Sequence, residues 1–182
     1  MWNADPEQLA IERSSGWQRA GYACNQAYEP IPLASSGTIL AMAALESRLI
    51  DALEPEEYDD IAGAEVEAEF AEHVPAFAPP LDLGVCAVTM GLTAFGCVSI
   101  SSCNGGAFSD YHQEDYPLVA FFCDRQTYAK LEAIFRKFEV GLSPAEGGAL
   151  LLFARDVREL VSLAFALGYE LRNTESRIAP RG

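Results

Sequence analysis

Residues 117–142, PLVAFFCDRQTYAKLEAIFRKFEVGL, decide the fold of this chain. The apolar run 117–123 has the length and composition of a strand that is buried on both faces. Asp124 then caps a helix whose apolar residues recur at helical spacing. These apolar residues are Tyr128, Leu131, Ile134, Phe135 and Phe138. A short strand over 140–143 follows, so the stretch predicts a strand, a helix and a second strand in succession.

The sequence after this stretch predicts one more strand and one more helix. Residues 149–153, ALLLF, form an apolar run of strand length. Asp156 and Glu159 have the spacing of a capping box at the start of a helix. Gly168 is placed to end that helix.

The sequence before the stretch predicts a helix followed by a strand. Asp82 can cap a helix that runs to about Thr93, and Gly96 introduces a strand over 97–101. The elements then follow the order α-β-β-α-β-β-α. This order predicts a single α/β domain of the α+β type, with a mixed, largely antiparallel sheet.

The first 80 residues are expected to form a helical, acidic extension that packs on this core of residues 81–170. A helix is predicted from about Thr38 to Leu53, because apolar residues recur there at helical spacing. Residues 54–73 fit either a strand or a helix, and the helix is favoured. Residues 171–182 are expected to form a mobile tail.

The acidic residues are concentrated in one part of the chain. The formal net charge is −15, and residues 49–124 contain 15 Asp or Glu and no Lys or Arg. Nucleic-acid binding is unlikely on charge grounds, because phosphate backbones attract basic patches. An acidic surface suits a basic protein partner or a metal cation, and it also promotes solubility.

Cysteine usage and the N-terminus both suggest a cytoplasmic location. The five cysteines include no CxxC pair, which argues against a disulfide framework and a zinc ribbon. The N-terminus lacks the basic and apolar regions of a secretory signal. Residues 81–101 are long enough to span a membrane, but three glycines divide them into a helix, a turn and a strand, so no membrane span is expected.

A polar loop follows the strand that begins at residue 97. Its glycines permit positive φ and close approach of a ligand, and its hydroxyl and amide groups can form hydrogen bonds. The candidate ligand-binding residues are Ser101, Ser102, Asn104, Gly105 and Gly106. Strand ends of this kind often bind ligands in α/β folds.

Three interpretations of the chemistry of this loop remain open. Cys103 could be a nucleophile that is activated by His112. A metal ion could be bound by Asp110, His112 and Glu114, which lie on one side of an extended segment. In the third interpretation, Cys103 is a buried apolar residue and the glycines make a turn. A weaker metal-site hypothesis concerns His73, which follows Glu69 by four residues and lies beside Glu72.

The segment VSISSCNGG, residues 98–106, with the surrounding strands and helices, resembles the core of the Tyw3-like proteins over about residues 82–167. Four residues match the Ser-Ser-Cys-Ser-Gly-Arg signature of that family, namely Ser101, Ser102, Cys103 and Gly105. Asn104 and Gly106 stand where the family has serine and arginine. The resemblance implies a small α/β domain and S-adenosylmethionine as cofactor, since the founding members methylate a tRNA intermediate of wybutosine synthesis.

Two classes of function are therefore predicted. The first is an enzyme or ligand-binding protein whose site is the loop 101–106, acting on a nucleotide-type or other small substrate. The second is a noncatalytic interaction protein, such as an inhibitor, an immunity factor or a regulatory subunit. Its acidic region would bind a basic protein partner, and binding would weaken as the salt concentration rises.

Overall fold

The apolar run at 117–123 forms an interior strand of a four-stranded sheet. The computed structural model describes residues 33–53, 60–74, 81–108, 114–145 and 148–178. The strand order in the sheet is β1-β2-β4-β3, and all three strand pairs are antiparallel. The four strands are β1 (Val98–Cys103), β2 (Leu118–Phe122), β3 (Val140–Pro144) and β4 (Leu150–Ala154).

Five helices accompany the sheet within the described residues. They are α1 (Ser36–Ala52), α2 (Asp60–His73), α3 (Cys86–Ala94), α4 (Arg125–Phe135) and α5 (Val157–Ile178). The predicted α+β fold is confirmed, and from α3 onward the elements follow the predicted order. No described helix has the length and apolarity that are needed to cross a bilayer.

The two faces of the sheet belong to different apolar clusters. Alternation along β2 places Val119 and Phe121 in the large core that contains the helices. Ala120 and Phe122 point the other way, into a small cluster with Ile100 of β1. A β-bulge in β1 between Ser99 and Ser101 shifts the register next to Ile100.

The helix predicted to end at Gly168 instead continues to Ile178. Gly168 has no side chain, and a Cβ there would lie 2.8 Å from Cγ of Leu40 in α1. The glycine is therefore needed for close packing of α1 against α5 and does not terminate the helix. The tail predicted from residue 171 is helical through Ile178, and residues 179–182 lie outside the described residues.

Two of the predicted helix starts lie in different places in the structure. The first turn of α1 is capped by Ser35, whose hydroxyl accepts the N–H of Thr38. The helix expected to begin at Asp82 begins at Cys86, and its cap comes from another helix, as described below. Residues 60–73 are helical, as favoured, whereas residues 1–32 and 54–59 lie outside the described residues.

Candidate functional site

The polar loop begins where β1 ends. Cys103 is the last residue of β1 and pairs with Leu118 of β2. The chain then turns through Gly105 and Gly106, both with φ of +70°. The side-chain oxygen of Asn104 accepts the N–H of Gly106 at 3.1 Å, so the turn is closed by its own asparagine.

Asn104 is buried, and its polar groups are used inside the protein. Its Nδ2 donates to Oε1 of Glu67 in α2 at 3.0 Å. Its backbone N–H donates to Oδ2 of Asp82 at 3.4 Å. Because these bonds join the loop to α2 and to the segment before α3, they hold the loop in place.

Gly105 of the loop lies directly against the backbone of residues 116 and 117. A Cβ at this position would lie 2.4 Å from the carbonyl carbon of Tyr116 and 2.6 Å from the nitrogen of Pro117. The absence of a side chain at Gly105 is thus required by the packing of the chain itself, and ligand binding by residues 101–106 stays a prediction.

Replacing Gly105 by alanine is expected to lower the free energy of unfolding by about 2 to 4 kcal/mol. The new Cβ adds the strain of a positive φ to an overlap with two backbone atoms. Urea denaturation measures the loss. Gly37→Ala is the matched control, because a Cβ there meets only the Ser35 hydroxyl at 3.7 Å, so its stability should be unchanged or slightly higher. Equal stability of the two variants would contradict the prediction.

The Cys103 thiol is buried, with 9% of the residue exposed. Its Sγ accepts the N–H of Gly105 at 3.3 Å. Burial raises the pKa of Cys103, and the carboxylates of Asp82 and Glu114 act in the same direction. A cysteine with a raised pKa is protonated at neutral pH, whereas a nucleophilic cysteine needs the thiolate.

The other predicted site residues are only partly described. Ser101 and Ser102 are half-buried in β1, opposite Ala120 and Val119. Asp110 and His112 lie outside the described residues, and Glu114 is exposed. The pairing of Cys103 with His112 and the metal site at Asp110, His112 and Glu114 therefore stay predictions.

The weaker metal site at His73 also stays a prediction. His73 is exposed, and its Nδ1 hydrogen-bonds the carbonyl oxygen of Glu69 at 2.9 Å. In the part of the chain that the structure describes, no three His, Cys, Asp or Glu residues are grouped to hold a metal ion.

A buried carboxylate at the start of α3 is not among the residues that the sequence predicts as functional. Glu46 of α1 is fully buried and accepts the N–H groups of Gly84, Cys86 and Ala87 at 2.9, 3.0 and 3.1 Å. It therefore caps the N-terminus of α3 from a different helix. Burial raises the pKa of Glu46 to about 7, although the three N–H groups lower it. The sequence does contain a sign of this burial. Glu46 follows Met42 by four residues and precedes Leu49 by three, so it lies within the apolar stripe of α1.

S-adenosylmethionine as a cofactor stays a prediction, and the cavity described next to the loop is small. The cavity beside Asn104 holds about 160 Å³ and is lined by residues that include Glu67, Phe70 and Asp82. Ligand pockets of drug-like size hold about 300 to 1,000 Å³. A depression of about 550 Å³ lies at β3 and β4, and one of about 520 Å³ lies between α4 and α5. Residues 101–106 line neither depression.

Comparison of the chain with protein-family models, with curated proteins and with solved structures finds no match. The Tyw3-like resemblance therefore continues to rest on the four signature residues and the order of the elements.

Proposed function

We propose that this protein is a noncatalytic interaction protein that binds a basic protein partner through the outer face of α2. This face is defined by the exposed carboxylates of Glu65, Glu69 and Glu72, which have i, i+4, i+7 spacing. The observation that carries the proposal is the absence of any Lys or Arg between Arg48 and Arg125.

The charge of this face supports electrostatic steering. One basic side chain is recorded near it, since Arg48 of α1 contacts Glu69 at 3.2 Å. That ion pair is exposed, so it contributes little to stability. Clustered negative charge attracts a basic partner and raises its association rate, without requiring a deep pocket.

The loop at the end of β1 supports the same proposal. Asn104 and Gly105 are used for packing within the chain, and the Cys103 thiol is protonated at neutral pH. Glu67 faces inward from α2 and bonds to Asn104. The loop thereby positions α2 and leaves the neighbouring carboxylates facing solvent.

Reversing two charges on α2 is expected to reduce partner binding by about tenfold or more. The variant is Glu65→Lys with Glu72→Lys, which spares Glu69 and its contact with Arg48. Tagged protein is used to capture partners from a lysate of the source cells at about 0.01 M and about 1 M salt, where the Debye length falls from about 30 Å to about 3 Å. A basic partner should be retained at low salt, released at high salt and lost in the variant.

The matched control is Glu139→Lys with Glu170→Lys, since both residues are exposed outside α2 and the net charge changes equally. This control should retain the partner. Binding that is independent of salt, or equal loss in both double variants, would contradict the proposal.

The alternative function is ligand binding or catalysis at the loop. It is favoured by the half-buried hydroxyls of Ser101 and Ser102 beside Cys103 at the end of an edge strand. Native mass spectrometry of the same preparations distinguishes the two functions. A small molecule that copurifies with the wild type and is absent from Cys103→Ser supports the loop, and a basic polypeptide supports α2.

A further inference from the structure

Two cysteines face each other at one end of the β1 and β2 pair. Cys97 directly precedes β1, and Cys123 directly follows β2. The antiparallel register pairs Val98 with Phe122, so one further step places Cys97 opposite Cys123. Directly opposed residues of antiparallel strands point to the same side of the sheet.

The burial and the electrostatic surroundings of both cysteines agree with this placement. Both side chains belong to the large core on the helix side of the sheet, with 4% of Cys97 and 1% of Cys123 exposed. The Cys123 thiol adds to burial in raising the pKa of Cys97, which indicates that the two side chains are neighbours. Both cysteines are in the reduced state.

The backbone of Cys97 indicates how close the two residues can come. Its N–H donates to the carbonyl oxygen of Leu92 at the end of α3, at 3.0 Å, and not to β2. Opposed residues that do not exchange backbone hydrogen bonds have Cα atoms about 4.5 Å apart. Disulfides span Cα separations of about 4.4 to 6.8 Å, so a cross-strand bond fits here.

From this geometry we propose that Cys97 and Cys123 are an oxidation site, which a small disulfide such as oxidised glutathione converts into a cross-strand disulfide. One protein thiolate attacks the glutathione disulfide, forms a mixed disulfide and releases one glutathione. The second protein thiolate then attacks the protein sulfur of the mixed disulfide and releases the other glutathione. The protein loses two protons and two electrons, which oxidised glutathione takes up as it is reduced to two thiols.

The surroundings of the pair set the rate and the effect of this reaction. Burial raises the pKa of Cys97, and the sulfurs are shielded, so the reaction depends on local opening at the end of the sheet. The bond would tie the end of α3 to the start of α4, because Cys97 follows Gly96 and Cys123 precedes the capping residue Asp124. The cross-link restricts the unfolded chain, so oxidation is expected to raise Tm by roughly 5 to 15 °C.

The test is to treat the purified full chain with oxidised glutathione, alkylate the remaining thiols and map the peptides by mass spectrometry. Trypsin leaves four cysteines on one peptide, since no Lys or Arg lies between Arg48 and Arg125. A glutamate-specific protease cuts after Glu114 and separates Cys97 from Cys123. We expect two peptides joined by a bond that a reductant breaks, with the linkage located at these two sulfurs.

Three variants make this result specific. Cys97→Ser and Cys123→Ser should lose both the joined peptides and the rise in Tm, whereas Cys86→Ala should retain both. A disulfide from Cys123 to Cys86 or Cys103 would overturn the proposal, and so would glutathione adducts without any protein disulfide. Full recovery of free Cys97 and Cys123 after Cys103 has reacted with glutathione would also overturn it. Because the wild-type peptide map is decisive, the test does not depend on the folding of any variant.

Discussion

Replacing Glu46 by alanine is expected to lower the free energy of unfolding by about 3 to 5 kcal/mol. The substitution removes the acceptor of three buried N–H groups at the start of α3, which Gly84, Cys86 and Ala87 contribute. Each buried donor left without a partner costs about 1 to 3 kcal/mol, and partial relaxation and entry of water offset part of the total. Urea denaturation at constant pH measures the loss.

Glu132→Ala is the matched control for this measurement. Glu132 of α4 accepts two hydrogen bonds from the exposed side chain of Arg136. Exposed i, i+4 ion pairs of this kind contribute less than about 1 kcal/mol to the free energy of unfolding. If Glu46→Ala cost no more than this control, the cap would not stabilise the fold.

Stability is also expected to fall as the pH rises from 4.5 to 7, by about 3 kcal/mol from Glu46 alone. The ordinary pKa of this carboxyl group is 4.5, and burial raises it to about 7 in the folded protein. Between these values the unfolded chain has lost the proton and the folded protein retains it. The stabilisation is therefore complete below pH 4.5 and is lost as the pH passes through 7, at about 1.4 kcal/mol per pKa unit.

The measurement compares the free energy of unfolding at about pH 5 and about pH 8 in the wild type and in Glu46→Gln. Glutamine does not titrate, so the difference between the two proteins isolates Glu46 from the other ionisable groups. The wild type should lose about 2.5 kcal/mol more than the variant over this range, since part of the stabilisation is already gone at pH 5. Parallel pH profiles would contradict the prediction.

The helices and strands were predictable because their signals are local. The apolar run at 117–123 and the capping residue Asp124 lie within a few residues of the elements that they define. The cap of α3 could not be found in this way. Its carboxylate is 38 to 41 residues distant in the sequence from the N–H groups that it accepts. Asp82 is the nearest local acid, so the sequence predicts a cap from Asp82, and this prediction is wrong because the helix begins at Cys86.

The candidate site shows the same limit. Gly105 lies against the backbone of Tyr116, and a sequence cannot distinguish such a contact from the approach of a ligand. Asparagine is a residue type that is common in exposed turns, so the sequence gives no sign that Asn104 is buried. Its burial depends on Asp82 and Glu67, which lie 22 and 37 residues earlier in the sequence. Long-range contacts thus determine which polar groups of this loop remain available.

The packing of α1 against α5 has a consequence for synthesis on the ribosome. About 100 residues separate the end of α1 at Ala52 from the start of α5 at Val157. At about 5 to 20 residues per second, α1 is made roughly 5 to 20 s before α5 begins to be made. The helix α3 is made in between, and Glu46 can cap it at that stage. The side chains of Ile39 and Leu40 that pack against Gly168 stay uncovered until α5 has been made, so the nascent chain exposes this apolar surface of α1 during that interval.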